Sequence, residues 1–288
     1  ASLRVVGVFY RRTIRMRAVL GVALVGLVVC VGCGREPEPA TPKAQPVAKV
    51  ADSLPPVAKT ELPQAPPKAE VPAKKPLTPK LTPEEALAAI KEMARRVTVD
   101  KGTVVAVNFR STKVTDEGLV HLKGLTKLEQ LSIGGTKITD AGLVHLKGLT
   151  NLKELSIEGI KITDAGLVHL KGLTSLKTLQ IPGTKVTDAG LAYLKGLTKL
   201  ESLRLSHTKV TDAGLLHLKG MMNLETLRLG GTKVTDAGVV HLKRMTKLKR
   251  LNLSSTRITN AGVAHLRGLT EMETLYLPIT RITNSGLG

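Results

Sequence analysis

The chain has 288 residues, a formal net charge of +20, and only 2% aromatic residues. So few large side chains argue against an ordinary globular core and favour a fold that stacks medium-sized aliphatic residues in layers. The only two cysteines, Cys30 and Cys33, lie near the N-terminus, which excludes a disulfide or a thiolate metal site downstream of them.

The N-terminal segment has the order of parts that is typical of an exported protein. Arginines at positions 11, 12, 15 and 17 precede an uninterrupted apolar stretch over residues 18–31. This stretch is shorter than the roughly 20 residues of a membrane-spanning helix, so residues 1–33 are predicted to be a signal peptide or membrane-targeting leader. A retained anchor is the alternative. Because Met16 with Arg17 would begin a complete shorter signal, residues 1–15 are either upstream sequence or a long basic region.

The end of this leader resembles a bacterial lipobox. In Val31-Gly32-Cys33 a small residue precedes a cysteine, although Cys30 stands where such signals usually carry leucine. The resemblance implies that Cys33 is diacylated and becomes the mature N-terminus. We therefore expect an exported protein of the cell envelope, held at the membrane by its leader or its lipid, with the rest of the chain periplasmic or extracellular.

Residues 34–81 are predicted to be a disordered linker. Thirteen of the fifteen prolines fall between Pro37 and Pro83, among alanine, valine and lysine. Such a composition cannot bury a core. At about 3.1 Å per residue in an extended conformation, this linker would reach more than about 100 Å.

A capping helix is predicted over residues 82–99. Thr82 and Glu85 have the spacing of a capping box, and Pro83 suits the first helical position. The apolar residues recur at helical spacing, so one face of this helix should pack on the domain that follows: Leu87, Ile90, Ala94 and Val97.

Residues 100–288 repeat with a period of 24, as the glycines at 124, 148, 172, 196, 220 and 268 show. One unit, residues 125–148, reads LTKLEQLSIGGTKITDAGLVHLKG. About eight copies are predicted, the first degenerate and the last incomplete. Gly288 aligns with Val144, inside a repeat helix, so we expect the last layer to be open.

The spacing Leu128-x-x-Leu131-x-Ile133 resembles the leucine-rich-repeat signature, and it recurs from repeat to repeat. The resemblance implies an α/β fold: a leucine-rich-repeat solenoid or arc, with a parallel concave β-sheet and short convex helices. In each unit a helix of about two turns should start after a capping threonine such as Thr139 and end at a glycine such as Gly148. The TDxGLxxL segment is similar to repeats of F-box substrate receptors and of bacterial envelope proteins. No F-box-like domain precedes it, so a ubiquitin-ligase role is not implied.

Threonine occupies the position where this family usually has asparagine or cysteine. Its hydroxyl is expected to bond the backbone between strand and loop at residues 112, 136, 184, 208, 232, 256 and 280. Ile160 breaks the column, which predicts a local weak point in the third repeat.

Three further polar columns follow the repeat. Histidines 121, 145, 169, 217, 241 and 265 are predicted to be half-exposed packing residues, since helices about 8–10 Å apart cannot bring their nitrogens onto one metal ion. The basic residues 113, 137, 161, 185, 209, 233, 257 and 281 are predicted to pair with the aspartates three positions later. Asparagines replace those aspartates at 260 and 284, so positive charge should accumulate toward the C-terminal end.

A binding face is predicted on the concave sheet in repeats five to eight. The outward positions of the first repeats carry small polar residues, whereas the later repeats carry residue types that dominate protein interfaces. The predicted patch consists of Arg204, Arg228, Arg250, Asn252 and Tyr276.

We find no nucleophile elbow, phosphate-binding glycine loop or HExxH motif, so neither catalysis nor a cofactor is expected. The sequence predicts a non-enzymatic scaffold that binds a protein, or an anionic glycan or polymer, and is tethered to the cell envelope. The alternative is a structural or self-associating envelope component without a specific ligand. Without interleaved aromatic residues, specific nucleic-acid binding is not expected.

Overall fold

The computed structural model describes residues 2–6, 14–17 and 82–282. All of these belong to one compact unit, formed by residues 1–20 and 80–288. The apolar stretch of the leader, Cys33 and the predicted linker lie outside the described residues.

Helix α1 spans Pro83–Met93 and begins with the predicted capping box. Glu85 N donates to Thr82 Oγ1 at 3.2 Å, and Thr82 N donates to Glu85 Oε2 at 2.7 Å. Ile90 is fully buried against the first repeat, as predicted. The prediction of a helix through residue 99 was wrong, because the helix ends at Met93 and Val97 lies on a strand that packs on the same core.

That strand, β3 (Arg96–Asp100), forms a hairpin with β4 (Thr103–Asn108). The two residues between them, Lys101 and Gly102, both have positive φ, at 48° and 77°. Two consecutive left-handed residues form the tight turn that suits the twist of a hairpin. The antiparallel strand β3 therefore covers the first edge of the repeat sheet.

From β4 onward every repeat adds one short strand, parallel to its neighbour and without a register shift. The middle residue of each strand is an inward leucine, and the residues on either side face outward, because side chains alternate along a strand. The strands are β5 (Gln130–Ser132), β6 (Glu154–Ser156), β7 (Thr178–Gln180), β8 (Ser202–Arg204), β9 (Thr226–Arg228), β10 (Arg250–Asn252) and β11 (Thr274–Tyr276).

Two N-terminal strands lie beside β11 at the other edge of the sheet. Strand β1 (Ser2–Val6) pairs in parallel with β11, and β2 (Ile14–Arg17) pairs antiparallel with β1. Strand β1 therefore covers the edge of β11 that faces away from β10.

The return segments of the repeats are short helices on the opposite side from the sheet. Where an α-helical turn is followed by a 3₁₀ turn, the two together span seven residues, close to the predicted two turns. The α-helices are α2 (Asp164–Leu167), α3 (Asp188–Ala192), α4 (Asp212–Leu215), α5 (Asp236–Val239) and α6 (Asn260–Ala264). The 3₁₀ helices are Asp116–Leu122, Gly142–Leu146, Val168–Leu170, Leu216–Leu218 and Val240–Leu242.

A single aliphatic core runs through the stack. The inward leucines, isoleucines and valines of each repeat are almost completely buried. Phe109, in the first repeat, is the largest fully buried side chain among the described residues. Each such side chain contributes roughly 1.5–3 kcal/mol through burial. The threonine column closes the core at the strand ends as predicted: Thr208 Oγ1, for example, donates to the carbonyl of Leu205 at 2.7 Å.

The aspartate column joins each repeat to the next. Asp188 Oδ1 accepts from the backbone N–H of Thr211 at 2.8 Å, and its Oδ2 accepts from the Thr211 hydroxyl at 2.6 Å. The same pair of bonds recurs from Asp116 to Asp236. Each threonine that donates to an aspartate also caps its own helix, as Thr211 Oγ1 does by accepting from Ala213 N.

This arrangement explains the glycine of the TDAGL motif. A Cβ built on Gly214 would lie 2.4 Å from Asp188 Oδ1, and the equivalent glycines of the other repeats are equally close to their aspartates. Only glycine leaves room for the carboxylate of the preceding repeat.

The predicted pairing of the basic column with these aspartates was wrong. Within residues 82–282 no ion pair joins the two columns. The carboxylates point toward the next repeat, where they bind two donors each, and the basic side chains remain exposed.

Ile160 changes the local backbone bonding. It is buried and supplies no hydroxyl to the carbonyl of Ile157. The N–H of Ile162 instead bonds the carbonyl of Ile160 at 2.9 Å. In the next repeat Lys185 N donates to the carbonyl of Ile162, a bond between repeats that has no counterpart at Lys161.

Candidate binding surface on the concave sheet

The five residues predicted to form a patch lie together on one face of the sheet. Arg204, Arg228, Asn252 and Tyr276 occupy matching positions at the ends of β8, β9, β10 and β11. Arg250 is the other outward residue of β10. Together these residues form what we call the C-terminal patch. The corresponding residues of the first repeats, Asn108, Ser132 and Ser156, are small and neutral, as the sequence indicated.

Arg204 is the most enclosed cation of this patch. One of its terminal nitrogens, Nη1, donates to Gln180 Oε1 at 3.2 Å. Its Nε is buried and has no hydrogen-bond acceptor among the described residues. Burial, and then the charge of Arg228, lower the pKa of Arg204 from its ordinary value. Two unit charges at the strand spacing of about 4.8 Å repel by roughly 0.9 kcal/mol in water and by about 3.5 kcal/mol at an effective dielectric constant of 20.

The other members of the patch either bond neutral groups or are exposed to solvent. Arg250 Nε donates to Thr226 Oγ1 at 3.1 Å. Asn252 Oδ1 accepts from both the backbone N–H and the hydroxyl of Ser254, so this side chain partly serves the local turn. The ring of Tyr276 is 39% exposed.

The glutamates that precede the two arginine strands β8 and β9 are bound to lysines. Glu201, immediately before β8, forms an ion pair with Lys177 at 2.8 Å, and Glu225, immediately before β9, forms one with Lys249 at 3.1 Å. These contacts raise the pKa of both lysines, chiefly through the hydrogen bond to each glutamate. The two glutamates therefore neutralise Lys177 and Lys249 instead of the arginines of the patch.

His207 adds a further basic side chain at the end of β8, and the sequence analysis missed it. Its φ of 58° is left-handed, and most other repeats place glycine at this position. A Cβ on Gly231 of the next repeat would lie 2.5 Å from His207 Nδ1, so the imidazole covers that glycine. The signal was available: a single histidine stands in a glycine-rich column.

A groove in the first half of the sheet was also not predicted. It has a volume of about 370 Å³ and is lined by neutral polar side chains such as Asn108, Gln130, Ser132 and Gln180, together with two charged residues, Arg96 of β3 and Glu154 of β6. Gln130 donates to Glu154 across it at 3.3 Å. We call it the N-terminal groove. Sequence periodicity gives no measure of curvature, so the depth of the sheet here was not accessible to it.

The histidine column lies on the helical side, and all its members except the exposed His265 are half-buried. Burial, followed by a neighbouring lysine, lowers the pKa of His169 and of His241. Within the described ranges no three metal-ligating side chains converge. None of the helices in that part of the chain has the length and apolar character of a membrane span.

The fold and the repeats have known relatives. A family model described as Leucine Rich repeat matches residues 124–146, 196–218, 220–242 and 244–266. Among solved structures, internalin C2 (inlC2) of Listeria monocytogenes is 27% identical, with a TM-score of 0.55 over 70% of this chain and 88% of the other. An internalin (inlF) of the same organism is 24% identical, with a TM-score of 0.51 over 64% of this chain.

The match to the second internalin spans 58% of that protein's chain. No curated protein matches the sequence.

Proposed function

Because this chain is a leucine-rich-repeat protein, we propose that its repeat domain is a non-enzymatic scaffold that holds a protein partner on the concave sheet. The observation that carries the proposal is the asymmetry of that sheet. The last residue of each strand is small and neutral in β4, β5 and β6, whereas arginines and an exposed tyrosine occupy this position in β8, β9 and β11. Buried arginine and aromatic anchors supply most of the energy of protein interfaces.

The architecture suits this role. The parallel strands pair through their backbones without register shifts, and the aspartate–threonine bonds fix each repeat to the next, so the sheet presents its side chains in fixed registers. A binding surface held rigidly in advance loses less entropy when a partner docks. Each residue of the C-terminal patch lies beside its neighbours without any conformational change.

The test compares three versions of the full chain, tagged and used to capture partners from envelope extracts of the source cells. The first is the parent, and the second carries Arg204→Ala, Arg228→Ala and Tyr276→Ala. The third carries Ser132→Ala and Ser156→Ala, on the same columns in the other half of the sheet.

We expect one saturable partner with the parent and the serine variant and its loss with the patch variant. Retention by the patch variant contradicts binding through the C-terminal patch. Recovery of only further copies of the chain supports a structural, self-associating component instead.

We also propose that the domain is tethered to the cell envelope through a lipid on Cys33. The basic and apolar order of residues 11–31 and the Val31-Gly32-Cys33 sequence support this. Cleavage before Cys33 would remove β1 and β2, and with them the strand that pairs with β11.

Mass spectrometry of the mature N-terminus from membrane fractions tests the tether. A diacylated Cys33 is the expected result. An unacylated soluble form that starts near residue 33 would indicate secretion, and an uncleaved chain would contradict the lipobox interpretation.

A further inference from the structure

The chemistry of the partner in the proposed binding function is indicated by Arg204, whose hydrogen-bond donors are only partly used. Nη1 bonds a neutral amide oxygen of Gln180, and the buried Nε has no acceptor among the described residues. A guanidinium has five N–H donors in one plane and no acceptor, so an enclosed guanidinium requires oxygen atoms around it.

No carboxylate of the described chain fills this position. Arg228 lies beside Arg204 on the next strand and has the same charge. The glutamates that precede these two strands are bound to Lys177 and Lys249. Two adjacent guanidiniums thus face the concave side with only neutral partners, which is the arrangement that an incoming anion completes.

We propose that the C-terminal patch binds an extended acidic peptide segment, with one carboxylate side chain held between Arg204 and Arg228. The spacing of adjacent strands, about 4.8 Å, lets the two planar guanidiniums approach the two oxygens of a single carboxylate. Arg250, the third arginine, lies diagonally across from Arg228 and extends the positive field along the bound segment.

The rest of the patch sets the length of this segment. Tyr276 lies three strands from Arg204, a distance of about 14 Å at the normal strand spacing. An extended peptide covers this distance in four to five residues, at about 3.3 Å each. Tyr276, which is 39% exposed, offers an apolar contact at that end. The segment therefore has an acidic residue and an apolar residue about four positions apart.

The apolar end distinguishes a peptide from an acidic glycan. A glycan can supply the anion, but it has no aliphatic side chain to place on Tyr276. The N-terminal groove does not make the same selection, because its glutamate already bonds Gln130 and its lining includes one arginine, Arg96, without a second arginine beside it. The exposed basic columns recur in every repeat, so they do not define a binding site at any one repeat.

A library of random twelve-residue peptides, selected on the full chain, tests this inference directly. We expect the selected peptides to be enriched in aspartate or glutamate, with an aliphatic residue about four positions away. The best peptide is then titrated by fluorescence anisotropy against the parent and two double variants. One carries Arg204→Gln and Arg228→Gln. The control carries Lys209→Gln and Lys233→Gln, which removes the same charge from the same two repeats.

The arginine pair variant should raise the dissociation constant about 10- to 100-fold, as expected for the loss of hydrogen bonds between charged groups. The lysine pair variant should change it less than about threefold. Replacing the glutamate of the peptide by glutamine should weaken binding to the parent and have little effect on the arginine pair variant.

Several outcomes would overturn the inference: no acidic enrichment, equal weakening in both double variants, or tighter binding of a sulfated oligosaccharide than of any selected peptide. If acidic enrichment is absent while the patch variant still loses its envelope partner, only the carboxylate inference fails. If that variant keeps its partner as well, the proposed function fails with it.

Discussion

Replacing Asp188 by alanine should destabilise the middle of the solenoid, and the size of the effect follows from two bonds. Its carboxylate accepts the backbone N–H of Thr211 at 2.8 Å and the hydroxyl at 2.6 Å. A hydrogen bond to a charged group contributes about 1.5–3 kcal/mol. Because the pair shares one carboxylate and is half-buried, we expect a total loss of about 2–3 kcal/mol.

Two matched variants separate this role from a salt bridge. Asp188→Asn keeps the Oδ1 acceptor, and the threonine hydroxyl can turn to accept from the amide, so its cost should be about 1 kcal/mol or less. Lys185→Ala removes the basic residue three positions earlier, which is exposed and makes no ion pair in the described chain, and it should change stability by less than about 0.5 kcal/mol.

Urea unfolding of the full chain, followed by circular dichroism, gives the free energies, and amide exchange at Thr211 shows whether the loss is local. A Lys185→Ala variant as unstable as Asp188→Ala would refute the role assigned to the aspartates. Gly214→Ala, whose Cβ would lie 2.4 Å from Asp188 Oδ1, should cost at least about 1 kcal/mol less in the Asp188→Ala background than in the parent.

Three other predictions concern single positions. Amide exchange should be faster at Lys161 than at Lys185, because only the latter N–H bonds the preceding repeat, and equal protection would contradict this. Burial lowers the pKa of His169 below 6.5, so its contribution to stability is complete above that pH and decreases as the pH falls through the folded pKa. The urea midpoint of His169→Gln should therefore fall less between pH 7.5 and pH 5 than that of the parent. Phe109→Ala should cost about 3–5 kcal/mol in urea unfolding, and a cost below 1 kcal/mol would show that the first repeat adds little to the cooperative core.

Much of the fold could be predicted because burial imposes a simple period. The inward leucines, the capping box of Thr82 and the threonine bonds at the strand ends all follow from local spacing, and the structure contains them. The extent of α1 was predicted less well. Val97 fits both a helical stripe and a strand, and only the pairing of β3 with β4 decides between them.

The candidate surface was predicted in position but not in energetics. The sequence places Arg204 and Arg228 at equivalent repeat positions, and so beside each other. It does not indicate that the Nε of Arg204 is buried without an acceptor, or that Glu201 turns to Lys177. Those contacts depend on which of several nearby side chains comes within hydrogen-bond distance of each charged group in the folded chain.

The sequence by itself determined the repeat, its layers and its strand register, because apolar residues recurring every 24 positions can be buried together in only one stacked arrangement. The tertiary structure alone decided the polar partners. Asp188 lies three residues from Lys185 and 23 residues from Thr211, yet it bonds the threonine. Stacking brings the next repeat within hydrogen-bond distance of the carboxylate, and there a half-buried acceptor with two donors is more stable than an exposed ion pair.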